Sequence, residues 1–578
     1  TGKDPMNSKL VGISVSNHAG KGWYIPVGHE EGQQLSLQQV LGNLKPLLED
    51  PNIPKVAHNA NYDMMILENH GVQIKNITFD TMIAAFLLGR KAFGLKALAL
   101  DYLTEEMTPI TDLIGNGKTQ ITMAQVPIEK AAQYACADAD FTWRLKGLLE
   151  IQLEEKGLSD LFFKVEIPLI PIIVAMQING LSLDVQLLRN LSNELSTIMS
   201  NIEYAIYQLI GHQFNINSSQ QLGHVLFKEL KLPPTKRTKT GYSTDASSLD
   251  SLKLLVNTGE TENVSPVANE VLDLVMEYRQ NAKIKSTYSD ALPALVNENT
   301  GRVHTSYNQI GAATGRVSSN RPNVQNIPIR TELGRKVRQA FTVSDTNELI
   351  LLAADYSQIE LRVLAHLSKD ESLIGAFLEG EDIHAATASQ MFEVDRSNVT
   401  AEMRRIAKVL NFGVIYGLSP FGISQQTGIS PQKGKDFIDT YFGKYPGIKA
   451  YIELIKEKIR QDGYVETILG RRREVPEIRS SNYQVRQAAE RMAVNMPIQG
   501  SAADILKLAM INIQSRMEKL SLKTIMILQV HDELIFEVPN NELERMKSII
   551  LELMPSAMKL EVPLEVEIKT GLTWGEMD

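Results

Sequence analysis

Two carboxylate-bearing stretches have the residue types for metal chemistry. The run from Ile525 to Val538 carries His531-Asp532-Glu533 between two apolar, β-branched segments, the pattern of a strand–turn–strand hairpin. Adjacent carboxylates beside buried strands are costly unless cations, or a divalent metal bound through oxygen, neutralise them. A second apolar run, Leu349 to Ala354, ends in Asp355. Asp355 and Asp532 are expected to meet in space and hold Mg²⁺, with Glu533 a secondary carboxylate beside them.

Two further stretches carry polar groups at helical spacing. Arg404, Lys408, Phe412 and Tyr416 recur every four residues and so share one helix face. Two cations followed by two aromatics suit a nucleoside triphosphate, the cations meeting phosphates and the rings stacking near a base. Arg491, Asn495 and Gln499 repeat the spacing; that stripe reads equally as a solvent-facing surface, and Pro497 is expected to kink its helix. Between Thr314 and Asn326 lies a Gly/Ser/Pro/Asn-rich loop whose Arg316, Asn323 and Gln325 suit minor-groove acceptors.

The elements that must position these groups are legible in part. Val11–Val15 and Gly22–Val27 read as neighbouring strands followed by helical patterns, an α/β layer arrangement. In that region Asn59 precedes Asp63 at a helix start, and Tyr134 and Asp138 stand one helical turn apart; spacing leaves metal binding and simple capping equally open. Gly115-Asn-Gly-Lys-Thr119 is not a phosphate loop, because the required first glycine falls at Asp112. A helix through Leu149–Gly157 links onward. Long helical patterns at Leu187–Ile210 and Val271–Val296 flank a basic, hydroxyl-rich loop with Lys236, Arg237 and Lys239, either a plain helical hairpin or a grip on a phosphate backbone. The basic runs Arg335–Arg338, Arg404–Lys408 and Arg471–Arg473 read singly as solvated faces, and Gly470-Arg-Arg-Arg473 as an outer loop.

Composition narrows the class. A chain of 578 residues exceeds one domain, and 43% hydrophobic with 22% charged residues is ordinary for a globular protein. One cysteine, Cys136, excludes an internal disulfide and fits a reducing compartment. A net charge of −9 argues against a protein that merely coats nucleic acid. The most apolar run, Pro168–Met176, is short and proline-broken, so no membrane span is expected. Thr1-Gly-Lys-Asp-Pro reads as a loop at a trimmed start, not a signal peptide.

Taken together, the motifs resemble family A DNA polymerases over nearly the whole chain. Ala354–His366 is similar to that family's motif A, Arg404–Gly417 to motif B and Ile525–Val538 to motif C. The resemblance implies a multidomain α/β and α+β chain: an RNase H-like 3′–5′ exonuclease-type domain at 1–150, linker and thumb at 151–300, palm at 301–370 and 484–578, and fingers at 371–483. It implies two Mg²⁺ at Asp355 and Asp532, with Mn²⁺ as a substitute, and primer-template DNA and dNTPs as partners. It assigns catalysis to Asp355, Asp532, Glu533 and Lys408. Nucleotide binding falls to Arg404, Lys408, Phe412, Tyr416, His384 and Glu360, the last as a steric gate against a ribose 2′-OH. DNA binding falls to Arg316, Asn323, Gln325, Arg491, Asn495, Gln499, Gln529, His531, Lys236, Arg237 and Lys239. Phe412, rather than Tyr, at its position in that motif implies discrimination against dideoxynucleotides. Asn59, Asp63, Tyr134 and Asp138 match two exonuclease motifs; the Asp-x-Glu pair of the first is missing, so little proofreading is expected. A monomer in the bacterial cytosol or nucleoid, without a membrane, completes the expectation. A nuclease would need the missing pair, a single-subunit RNA polymerase would not favour Glu360 with Phe412, and a pure binding module would not need Asp355 and Asp532.

Overall fold

A computed structural model describes residues 2, 4–238, 241–257, 264–329 and 331–577. Two compact units divide the chain. The first comprises Thr1–Asn179, Thr305–Arg321 and Leu352–Lys569; the second comprises Gly180–His304, Pro322–Leu351 and Thr570–Asp578.

The first unit begins with the expected strand pair. β1 (Gly12–His18) and β2 (Lys21–Pro26) are antiparallel. β3 (Lys55–Ala57) leads into α1 (Ala60–Glu68), and β4 (Ile77–Asp80) returns parallel to β3. α1 buries Ala60, Met64 and Met65 against Phe79, Leu145 and Leu149, the last two on the long helix α2 (Ile128–Glu155). The linking helix expected at Leu149 is therefore the end of α2. The run Ser159–Asn179 differs from expectation. It is continuously helical over 21 residues despite Pro168 and Pro171, and its most apolar 18-residue stretch has mean hydropathy 1.9. It is long and apolar enough to cross a membrane, but 67% of that stretch is buried within the protein, where Leu169, Ile170, Ile173 and Val174 form core.

The later part of this unit is built on a four-stranded sheet. β5 (Leu349–Tyr356) precedes α3 (Ile359–Ser368), α4 (Ile383–Phe392), α5 (Ala401–Ile415) and α6 (Tyr483–Lys519). β6 (Ile525–Val530), β7 (Glu533–Pro539) and β8 (Val566–Gly571) complete it, in the order β6-β7-β5-β8. Leu351–Ala354 and Leu534–Phe536 are buried without alternation, the mark of strands covered on both faces. α6 runs unbroken for 37 residues through Pro497, with Ala493, Val494, Ile498 and Ala502 buried around it.

In the second unit, helices Val185–Ile210 and Ala268–Ile284 pack through Ile202, Ile206, Val271 and Val275. The second helix stops at Ile284 rather than reaching Val296, passing into a π turn at Lys285–Ser289. Ser218 caps Ser219–His224 by accepting the Gln221 N–H. Arg237–Thr238 pairs antiparallel with Gly241–Tyr242; Lys239 lies outside the described residues. Trp574 is buried against Phe341, 5.6 Å between ring centroids, with Arg338 4.0 Å over its ring.

Candidate active site

Asp355 is the penultimate residue of β5, and Asp532 lies in the turn joining β6 to β7. Val530 pairs with Glu533, so the turn is His531-Asp532, with His531 in the left-handed region at φ 50°. Glu533 is the first residue of β7 rather than part of the turn. The adjacent strands bring the two aspartates together: the Tyr356 N–H donates to the Asp532 carbonyl at 3.3 Å. Gln529 braces the turn by donating to the His531 carbonyl at 2.6 Å.

The electrostatics are those of a pair short of positive charge. Asp355 is open to solvent on one side, yet its carboxyl is pushed up to about 6, first by desolvation, then by Asp532 and Glu567, against the pull of Lys408 and Lys569. Asp532 is also raised by burial, with Arg316 and His531 opposing. Two mutually repelling carboxylates at strand ends are a donor set suited to a hard divalent cation. Among the described residues no group of three or more His, Cys, Asp or Glu side chains is arranged to hold a metal. Two carboxylates would thus share their ion with water or substrate oxygens, as Mg²⁺ sites commonly do. Glu567 and Lys569, on β8, were not singled out in the sequence; only strand order places them beside Asp355.

Arg316 stands over the same corner. Its guanidinium donates to Glu360 at 2.5 Å and lies 3.8 Å from Asp532, while its Nε is buried without a partner. Glu360 follows from α3, whose preceding residue Gln358 is left-handed at φ 52° and turns the chain sharply off β5. Burial raises the Glu360 carboxyl; Arg316 counters this and Asp532 adds to it.

α5 carries Arg404 and Lys408 exposed, and Phe412 half-buried, along one edge. Tyr416 caps the helix and stacks on Phe412, 6.0 Å between centroids at 26°. Arg404 is not solitary: its Nε donates to Asp382 at 2.7 Å. Asp382 also caps α4, where His384 lies buried 5.8 Å from Phe412. Asn411 of α5 faces the His384 Nδ1 at 3.0 Å, and the His384 Nε2 has no partner. The pairing of Asp382 with Arg404 joins residues 22 apart and was not legible in the sequence.

On α6, Arg491 is exposed and Asn495 and Gln499 are half-buried; the Asn495 Oδ1 is buried without a partner. Gly417, at φ +71°, abuts the Arg491 stem: a Cβ there would lie 2.9 Å from Arg491 Cγ. Asn323, Gln325, Lys236 and Arg237 belong to the second unit. Asn323 accepts from the Gln325 N–H at 3.1 Å, and Lys236 pairs with Asp245 at 3.4 Å.

A second acidic cluster sits in the α1/α2 region. Asn59 caps α1 in the left-handed region at φ 68°, and Asp63 lies in its first turn. Asp63 is pushed up to about 7 by burial, Asp80 and Asp138. Asp138 is raised to about 6 by burial; Lys96 and its Tyr134 hydrogen bond oppose this. Asp80, missed in the sequence, is buried and accepts from the Ala60 N–H at 2.7 Å. The signal was available: Asp80 immediately precedes a helix, as Asp382 does.

Residues 185–576 match the family model described as DNA polymerase family A, and residues 1–154 match that of a 3′–5′ exonuclease. The chain belongs to DNA polymerase family A, with an exonuclease domain preceding the polymerase domain in a multidomain α/β architecture. It is 47% identical over 586 residues to DNA polymerase I of Chloroflexus aurantiacus, covering 100% of this chain and 60% of that protein. Against DNA polymerase I of Pseudomonas aeruginosa it is 41% identical over 584 residues, covering 100% of this chain and 62% of the relative. The chain thus spans about 60% of the length of these curated relatives. The polymerase domain of Pol1 from M. smegmatis, solved in complex with DNA primer-template and dNTP, superposes with a TM-score of 0.87 at 38% identity, covering 98% of this chain and 93% of that one.

Proposed function

We propose that the chain is a template-directed DNA polymerase that joins a deoxynucleotide to a primer 3′-OH with release of pyrophosphate. The observation that carries this reading is the Asp355–Asp532 pair at the ends of neighbouring strands, with Lys408 close enough to offset their charge. Family membership and the likeness to a polymerase domain solved with primer-template and dNTP support it.

Asp355 and Asp532 would hold the Mg²⁺ ions, or Mn²⁺ in their place, which when bound would supply Lewis-acid activation of the 3′-oxygen and charge compensation at the phosphates. Lys408 and Arg404 bind the triphosphate and offset charge as it develops. Phe412 and Tyr416 stack near the incoming base, and His384 lines the same place. Glu360 fills the space of a ribose 2′-OH. Arg316, Arg491, Asn495, Gln499, Gln529 and His531 orient the primer end and template, Glu533 supports the carboxylate pair, and Asn323 and Gln325 follow the minor groove. Lys236, Arg237 and Lys239 hold the phosphate backbone. Residues 301–370 and 484–578 act as palm, 371–483 as fingers and 151–300 as linker and thumb. The fingers helix α5 closes on a correct pair, so closure is a selectivity step.

The exonuclease-type region at 1–150 is inactive in these 578 residues: Asn59, Asp63, Tyr134 and Asp138 match two motifs, but no Asp-x-Glu pair precedes them. The chain works as a monomer in the cytosol. Primer extension on a defined template tests the central reading. Incorporation of the complementary dNTP alone is expected; untemplated addition, or equal use of NTPs, would refute it.

A further inference from the structure

The basic run Arg471–Arg473 is not the solvated outer face its sequence predicts. Arg471 is 2% exposed. Its Nε donates to the Asp504 Oδ1 at 3.0 Å and one Nη to the same oxygen at 2.6 Å; that Nη also donates to Glu166. Lys507 donates to the same Glu166 oxygen at 2.7 Å, and Gln309 to the other at 2.5 Å. The Thr467 hydroxyl donates to the Asp504 Oδ2 at 2.7 Å and accepts the Arg471 N–H at 3.1 Å. Two acids and two bases therefore balance in a buried, hydrogen-bonded network that pins the guanidinium by two edges.

Such networks are weak as sources of stability, since well-packed apolar groups of the same volume often do as well. What this one does is hold a flat, rigid surface under a turn. Gly315 has φ +81°, and a Cβ on it would lie 2.5 Å from Arg471 Nε and 2.6 Å from Cζ. The Gly315 backbone is laid directly on the guanidinium. On the other side, the Thr314 carbonyl lies 3.2 Å from where a Cβ of Gly500 would stand. The turn is thus clamped between Arg471 and α6, and the next residue is Arg316, whose guanidinium reaches Glu360 and Asp532. The buried, unpartnered Arg316 Nε marks that side chain as held ready for a group not supplied by the protein.

We propose that Arg471 is a positioning residue: it fixes the Thr314–Gly315 turn and so sets where Arg316 meets the primer end, a role that rests on the polymerase reading above. Lysine at 471 keeps the charge but loses the planar fork on which Gly315 lies. The test is a double-mutant cycle on kcat/KM for matched and mismatched primer ends, with the native chain, Arg471→Lys, Arg316→Ala and the double variant, each checked for melting temperature. Arg471→Lys is expected to lower matched extension about tenfold when Arg316 is present and by less than about twofold in the Arg316→Ala background, because the two act in series. Discrimination against mismatched ends should fall in the same pattern. An equal loss in both backgrounds, or no loss in either, would overturn the proposal. If Arg471→Lys does not fold, Gly315→Ala takes its place, since it leaves all four buried charges intact. The same dependence on Arg316 is then expected, and its absence counts against the proposal. Failure of the native chain to extend any primer would instead sink the polymerase reading, and this one with it.

Discussion

Arg316 donates to Glu360 at 2.5 Å and stands 3.8 Å from Asp532, so one guanidinium ties the proposed sugar gate to a proposed metal ligand. On the proposed reading, a primer end would meet Arg316 beside this pairing, where the buried Nε is still without a partner.

Glu360→Ala opens the space next to the sugar and removes the partner of Arg316. The ratio of kcat/KM for a ribonucleotide to that for its deoxy counterpart is expected to rise by about a hundredfold, the scale on which a packed side chain excludes a small added group. Single-nucleotide extension with matched dNTP and NTP measures it. An unchanged ratio would remove Glu360 from the gate.

Asp532→Ala takes one of the two carboxylates from the strand ends while leaving the β6–β7 hairpin with its apolar core. Extension is expected to fall by at least 10²–10³-fold, on the order of losing one essential electrostatic contact in a reacting site. Affinity for primer-template should change little, because backbone contacts dominate it. Fluorescence anisotropy alongside extension separates the two effects, and retained synthesis would end the metal assignment.

The Asp63–Asp138 cluster is predicted to remove mismatched 3′ nucleotides slowly or not at all in this chain. Asp63 and Asp138 titrate near 7 and 6, so both are partly protonated at neutral pH when no cation is bound. Raising pH to 8 with ample Mg²⁺ or Mn²⁺ ionises them and gives excision its best chance. Efficient removal of a mismatched terminus from a labelled primer under those conditions would refute the inactive reading.

What the sequence disclosed follows from how far apart the partners are. The hairpin around Asp532, the strand carrying Asp355 and the α5 stripe are local patterns, each written in a short window; the elements form, with Glu533 in the second strand rather than the turn and Tyr416 capping the helix. Contacts between distant segments were not legible. Arg471 looked like one of three surface arginines because Glu166 lies 305 residues away. The helix Ser159–Asn179 looked broken by prolines because its continuity is held by surrounding core. Arg404 with Asp382, Arg316 with Glu360, and Asp355 with Glu567 and Lys569 emerge only once strands and helices are assembled.

His384 gives the site a pH dependence whose sign is fixed. Burial first, then Arg404 and Lys408, hold its imidazole down at about 4, with Asp382 opposing. Asn411 beside Nδ1 fits a neutral ring. Between the free value near 6.5 and the folded value near 4, the unfolded chain binds the extra proton and the folded chain does not. Stability from this group is therefore full above pH 6.5 and is lost as pH falls toward 4, at a rate on the order of 1 kcal/mol per pH unit. Protonation would also set a third cation beside Arg404 and Lys408. Hydrogen exchange in α4 and α5 between pH 7.5 and 5 is expected to accelerate in the native chain beyond the intrinsic pH effect, and much less in His384→Asn, which keeps a polar, uncharged side chain. Identical pH slopes in the two proteins would show that this histidine titrates as an ordinary one.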